Sequence, residues 1–138
     1  MTLPAPNSLN LFSMTERAMS AQLVRMNAAT SNLANAGSVA SSEREAYRPI
    51  RAVFAVELDE ATGLASVRSD GLVRSETAPT KRYDPNHPMA NDEGFIWEAP
   101  VDETAEIVEI MESARQYQNL VQALQTAKQL MLETLRSN

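Results

Sequence analysis

Two stretches at opposite ends of the chain place apolar residues at alternating spacings of four and three. The first reads Leu9, Phe12, Glu16, Met19, Leu23, Met26, Thr30 and Leu33. The second reads Glu103, Ile107, Ile110, Ala114, Tyr117, Val121, Leu124, Lys128, Met131 and Leu135. Residues so spaced share one face of a helix, so the pattern predicts long helices over about Ser8 to Asn35 and Asp102 to Arg136, each with a coiled-coil-like seam. The apolar seam residues are the candidate helix interface. Leu120, Ala123, Ala127 and Leu130 widen the second stripe beyond what one partner helix covers.

Between the helices the period changes. Phe54, Val56 and Leu58 fall on one face of Tyr47 to Leu58, and Val53 and Ala55 on the other, which is a strand pattern. Asp59 to Gly63 reads as a turn, and Leu64 to Arg68 with Leu72 to Ser75 read as partner strands of a small antiparallel sheet. Residues 79–100 hold four prolines around Tyr83-Asp84-Pro85-Asn86-His87-Pro88, and proline pushes its predecessor out of helical geometry, so an extended connector is expected there. Gly94 to Trp97 reads as a short strand. Gly37 is expected to end the first helix in a left-handed conformation, and Asp102 to cap the second. The fold class is mainly α with a small β insert. Residues 1–37 and 102–138 form a discontinuous helical unit of paired termini, and 38–101 a β-containing insert and connector.

Composition removes several functions. The net charge is −6 and no run of Lys or Arg exceeds two, which argues against a surface that tracks phosphates, so nucleic acid is not an expected partner. The longest apolar run, Ala52 to Val56, is far short of the roughly 20 residues that cross a bilayer. The first 16 residues lack the basic and apolar regions of a secretory signal, so composition alone reads as cytoplasmic. With no cysteine, disulfides, thiolate catalysis and sulfur-ligated zinc are excluded.

No constellation points to catalysis. His87 is the only histidine and lies in a turn-rich segment without partners at a ligand or dyad spacing. The four glycines, at 37, 63, 71 and 94, make no phosphate-cradling loop. The expectation is a non-enzyme with no cofactor, no metal and no catalytic residue. Acids crowd the start of the second helix at Asp102, Glu103, Glu106, Glu109 and Glu112, where they suit the helix dipole.

Three segments carry a resemblance. Ser31-Asn32-Leu33-Ala34-Asn35-Ala36 resembles the N-terminal signature of the bacterial flagellar axial proteins, the rod and hook subunits. Tyr83-Asp84-Pro85-Asn86-His87-Pro88-Met89-Ala90, followed by Gly94-Phe95, resembles the connector peculiar to the proximal rod subunit. Ser113 to Gln118 with Thr126 to Leu132 is similar to the C-terminal helix of that subunit. The chain departs from the pattern at Asn119-Leu120, at Gln125 and in the extension Thr2 to Asn7. The resemblance implies a structural subunit of the basal-body rod, a tubular drive shaft that transmits torque. It further implies type III flagellar export without a cleaved signal, a place in the periplasm, and as partners copies of itself, the export apparatus and other rod subunits (FlgB, FlgF, FlgG and FliE-like). The competing readings are an FlgB- or FlgF-like subunit, which the Tyr83 to Gly94 segment disfavours, and a cytoplasmic helical adaptor or export chaperone.

Overall fold

The computed structural model describes the backbone of residues 8–138 and the side chains from Asn10 onward. The extension Thr2 to Asn7 and the Leu9 side chain lie outside the described residues. Helix α1 spans Ser8–Ala34 and helix α2 spans Glu103–Arg136. They are antiparallel and in contact: Arg25 reaches Glu109, while seven residues later Asn32 reaches Glu106. Asp102 caps α2 as expected, its carboxylate accepting from the Ala105 amide at 3.2 Å. The end of α1 differs from expectation. Gly37 does not take a positive φ; the last turn tightens instead, with Ala36 N–H on the Leu33 carbonyl and Ser38 N–H on the Asn35 carbonyl. Carbonyls that a left-handed cap would have satisfied are thus met by i→i+3 bonds.

Two small antiparallel sheets join the helices. The first is a long hairpin of β2 (Ile50–Asp59) and β3 (Leu64–Arg74), which lies along α1. Its turn is closed by the Gly63 amide on the Asp59 carbonyl at 2.7 Å, and Gly63 takes φ +70°. The two partner strands read from sequence are one strand interrupted by a bulge, where Asp70 and Gly71 oppose Val53. Gly71 adopts φ +105° there, which explains why the alternation of β3 breaks at that point.

The second sheet has the order β1-β5-β4, from Val39–Ala40, Phe95–Glu98 and Thr80–Tyr83. The extended connector expected over 79–100 is instead a hairpin: Tyr83 pairs with Phe95 and Thr80 with Glu98. Pro79, Pro85, Pro88 and Pro100 all lie outside the ladder, flanking the strands or in the loop, so no ladder bond is lost. A Cβ on Gly94, at φ +83°, would lie 2.8 Å from the Tyr83 ring, so this position closes the loop only as glycine.

Burial is shallow. Among the described residues the buried apolar side chains are Ile96, Pro49, Pro79 and alanines, of which Ala21, Ala28 and Ala29 line α1. Ser113 is buried on α2, and its hydroxyl is satisfied within the helix by the Glu109 carbonyl at 2.7 Å. Small side chains let two helices approach closely but remove little apolar surface from water. The helix pair is therefore fixed more by polar geometry at one end than by a wide oily core.

Candidate functional site

The polar geometry centres on Asn32, the second residue of the Ser31 to Ala36 motif and completely buried. Its amide uses its full bonding capacity. Nδ2 donates to the Ile50 carbonyl at 2.9 Å and to Glu106 Oε2 at 3.2 Å. Oδ1 accepts from the Ile50 amide and from the Tyr47 hydroxyl, both at 2.8 Å. Two of these bonds pair the side chain with one backbone residue as a neighbouring strand would, so Asn32 ties the base of β2 to the end of α1. The third brings in the start of α2. Ser31 adds a hydroxyl contact with Tyr47 at 3.1 Å.

Glu106 is the surprise of the cluster. Expected as one of several dipole-compensating acids, it is 1% exposed, and Arg51 of β2 holds it through both carboxylate oxygens at 2.6 and 3.0 Å. A buried carboxylate is tolerable only when paired and hydrogen-bonded, and the bidentate guanidinium with the Asn32 amide supplies both. Those bonds to Glu106, outweighing desolvation, push the Arg51 guanidinium above its ordinary value. A signal for this pair exists in the sequence. Glu106 is in four-three register with Ile110, Ser113, Tyr117, Leu120, Leu124, Ala127 and Met131, the less exposed positions of α2, and no Lys or Arg lies within four residues of it. A carboxylate on an apolar face without a local partner requires a distant one. Arg51 and Tyr47 carry no such mark.

Removing one partner of a buried pair leaves the other charged and desolvated. Arg51→Met is therefore expected to lower the unfolding free energy by about 2–3 kcal/mol, below the range for fully buried pairs because the Arg51 side chain is 52% exposed. Arg51→Met with Glu106→Gln should recover a large part of that loss, since no charge is then stranded. Urea denaturation of the two variants checks the order.

The other motif residues are placed as follows. Asn35 folds its side chain onto the Ser31 carbonyl at 2.8 Å; Leu33 is half-buried and Ala34 exposed. Tyr83 packs edge-on against Phe95 at 5.3 Å, beside Gly94. Pro85, His87 and Pro88 shape the loop, where His87 Nδ1 accepts the Met89 amide at 3.0 Å. His87 is thus occupied as a turn-former.

Of the expected helix-interface residues, Phe12, Met19, Met26, Leu33, Ile110, Ala114, Tyr117, Val121, Leu124 and Met131 are half-buried in this chain. Leu23, Ile107 and Leu135 are 38%, 45% and 66% exposed. Val108, Met111, Leu130 and Leu132 are exposed beside them on α2. Among the described residues no group of three or more His, Cys, Asp or Glu is arranged to hold a metal ion, and no helix is long and apolar enough to cross a membrane. The chemistry available is that of a rigid three-way junction carrying two long helices with apolar side chains in water.

Comparison with known proteins matches the sequence to a family. Residues 92–137 match the family described as flagellar basal body rod FlgEFG protein C-terminal. Over its length the chain is 35% identical across 127 residues to the flagellar basal-body rod protein FlgC of Salmonella typhimurium, covering 92% of this chain and 95% of that protein. The FlgC of Yersinia enterocolitica is similar to the same degree, 35% over 127 residues with the same coverage. That of Buchnera aphidicola subsp. Acyrthosiphon pisum is 33% identical over 129 residues.

Proposed function

Because the chain belongs to the family of the flagellar basal-body rod protein FlgC, and is a structural subunit of the rod, we propose that its terminal helices enter a tubular layer shared with neighbouring subunits and that the assembled shaft carries torque. The observation that supports this most is the apolar surface left in water on α2: Ile107, Val108, Met111, Leu130, Leu132 and Leu135. These residues form two exposed apolar groups, at the start and near the end of α2; a soluble chain that folded for itself alone would cover them, whereas a subunit needs them for its neighbours. The discontinuous unit of 1–37 and 102–138 is the assembling part. The intervening 38–101 packs outside it, locked in place through Asn32 and Arg51.

Shallow burial sets the state before assembly. Fixing a residue's backbone costs about 1–2 kcal/mol of conformational entropy, and an alanine-lined contact returns little of that per residue. The ends of the unassembled subunit are therefore mobile, a state suited to passage through the narrow type III export channel on the way to the periplasm. Partners are copies of the chain and other rod subunits of the FlgB, FlgF, FlgG and FliE kinds.

The test is localisation. A tagged chain is expected to co-purify with detergent-extracted basal bodies and to restore swimming to cells lacking the native copy. Recovery only in the soluble cell fraction, the behaviour of a helical adaptor or export chaperone, would overturn the reading.

A further inference from the structure

Three arginines with no carboxylate partner converge at the junction end of the molecule. Arg44, Arg48 and Arg74 line an open cleft of about 450 Å³ beside Tyr47, and no acid among the described residues lies within ion-pair distance of any of them. Glu45 shares the lining and Glu43 flanks it, unpaired with all three. In a chain of 18 acids and 12 Lys and Arg, leaving three guanidiniums unpaired in one place is a departure from its own charge balance. Arg74 is also held in position. Its Nη1 donates to the Arg48 carbonyl at 3.1 Å and its guanidinium lies 5.7 Å from the centre of the Tyr47 ring, whose hydroxyl is fixed by Asn32. A guanidinium immobilised in advance loses less freedom when it meets a carboxylate.

The opposite end of the same hairpin is acidic. Asp59 and Glu60 form its exposed tip, beside Asn10, Ser13 and Arg17 near the start of α1. The Asp59 carboxylate steadies the turn through the Ala61 amide at 2.9 Å, and Glu60 has no ion-pair partner among the described residues. The length of β2 at about 3.3 Å per residue separates tip from cleft by roughly 30 Å, so the two cannot meet within one chain. We infer that the arginine cleft of one copy receives the Asp59-Glu60 tip of a neighbouring copy. Unlike patches at opposite ends make a head-to-tail contact that does not close on itself as a two-fold dimer does, and so extends a row of subunits. The inference deepens the rod reading and rests on it.

The absence of cysteine gives a clean readout. The chain carrying both Arg48→Cys and Glu60→Cys is expressed in place of the native copy, and its extracted basal bodies are treated with a thiol-specific bismaleimide whose reach matches an arginine–carboxylate contact. Cross-linked dimers and higher multimers are expected from the double variant and none from either single one, because the roughly 30 Å between the two positions within one chain exceeds the reach of the cross-linker. Adding Arg44→Glu should lower the yield about tenfold. The chain recovered in basal bodies without multimers above the single-variant level would overturn the cleft contact. Absence of even the wild-type chain from basal bodies would overturn the rod reading instead. A charge exchange gives a second arm: Arg48→Glu and Glu60→Arg are each expected to abolish swimming and together to restore it, and swimming at the wild-type level in either single variant contradicts the contact.

Discussion

Asn32→Ala is expected to lower the unfolding free energy by about 3–5 kcal/mol, the largest effect of any single change at the junction. The substitution deletes four hydrogen bonds around a fully buried site: it strands the Ile50 amide and carbonyl, and leaves the Tyr47 hydroxyl with Ser31 alone and Glu106 Oε2 with Arg51 alone. Each stranded buried group costs about 1–3 kcal/mol, with water recovering part of the total. Asn32→Asp makes the mechanism specific. It keeps the volume and the two accepted bonds, but turns the Nδ2 donor into an oxygen facing the Ile50 carbonyl and the Glu106 carboxylate. It should be no milder than alanine, although it is nearly isosteric. Thermal or urea unfolding of the three proteins measures this; a loss under 1 kcal/mol in both variants would show that the junction does not depend on the amide.

Ile107→Asp and Leu135→Asp are expected to abolish swimming while leaving the isolated chain folded as before. Leu135 is 66% exposed and Ile107 45%, near the start of α2 where a carboxylate suits the helix dipole, so the monomer should change by no more than about 1 kcal/mol. In an assembled layer each would bury, contributing about 1.5–3 kcal/mol per contact, and a carboxylate there adds the cost of an unpaired buried charge. Since 1.4 kcal/mol is about tenfold in an equilibrium constant, even the apolar loss alone weakens each contact tenfold or more. Soft-agar motility and the chain's recovery in basal bodies provide the readouts. Wild-type swimming by both variants would mean that these residues meet no neighbour.

The helices, the first hairpin and its turn were legible in the sequence because each rests on a local period or turn residue: the four-three spacing, the alternation from Val53 to Leu58, and Asp59 to Gly63. The hairpin over 79–100 was not. Its prolines read as an extended spacer because their effect on their neighbours is local, whereas their position outside the ladder is known only once Tyr83 and Phe95 are paired. The junction was half legible. The motif that contains Asn32 could be recognised, but its partners come from 15, 18 and 74 residues away, beyond the reach of any spacing rule. The burial of Glu106, an acid of the first turn as expected, was hidden for a related reason: the apolar surface of α2 is wide enough to support two seam registers, and in the register of Ile107 and Leu135 Glu106 falls beside the seam rather than on it. The register containing Ile107 and Leu135 leaves those residues in water, the condition expected of a surface awaiting a neighbouring subunit.

Hydrogen exchange tests most directly whether the terminal helices are completed by neighbours. In the isolated chain at micromolar concentration, amides over residues 10–34 and 104–134 should exchange with little protection away from the Asn32-Glu106 junction, and the same amides should become strongly protected in extracted basal bodies. Strong protection across both helices in the isolated chain, unchanged on assembly, would contradict the account.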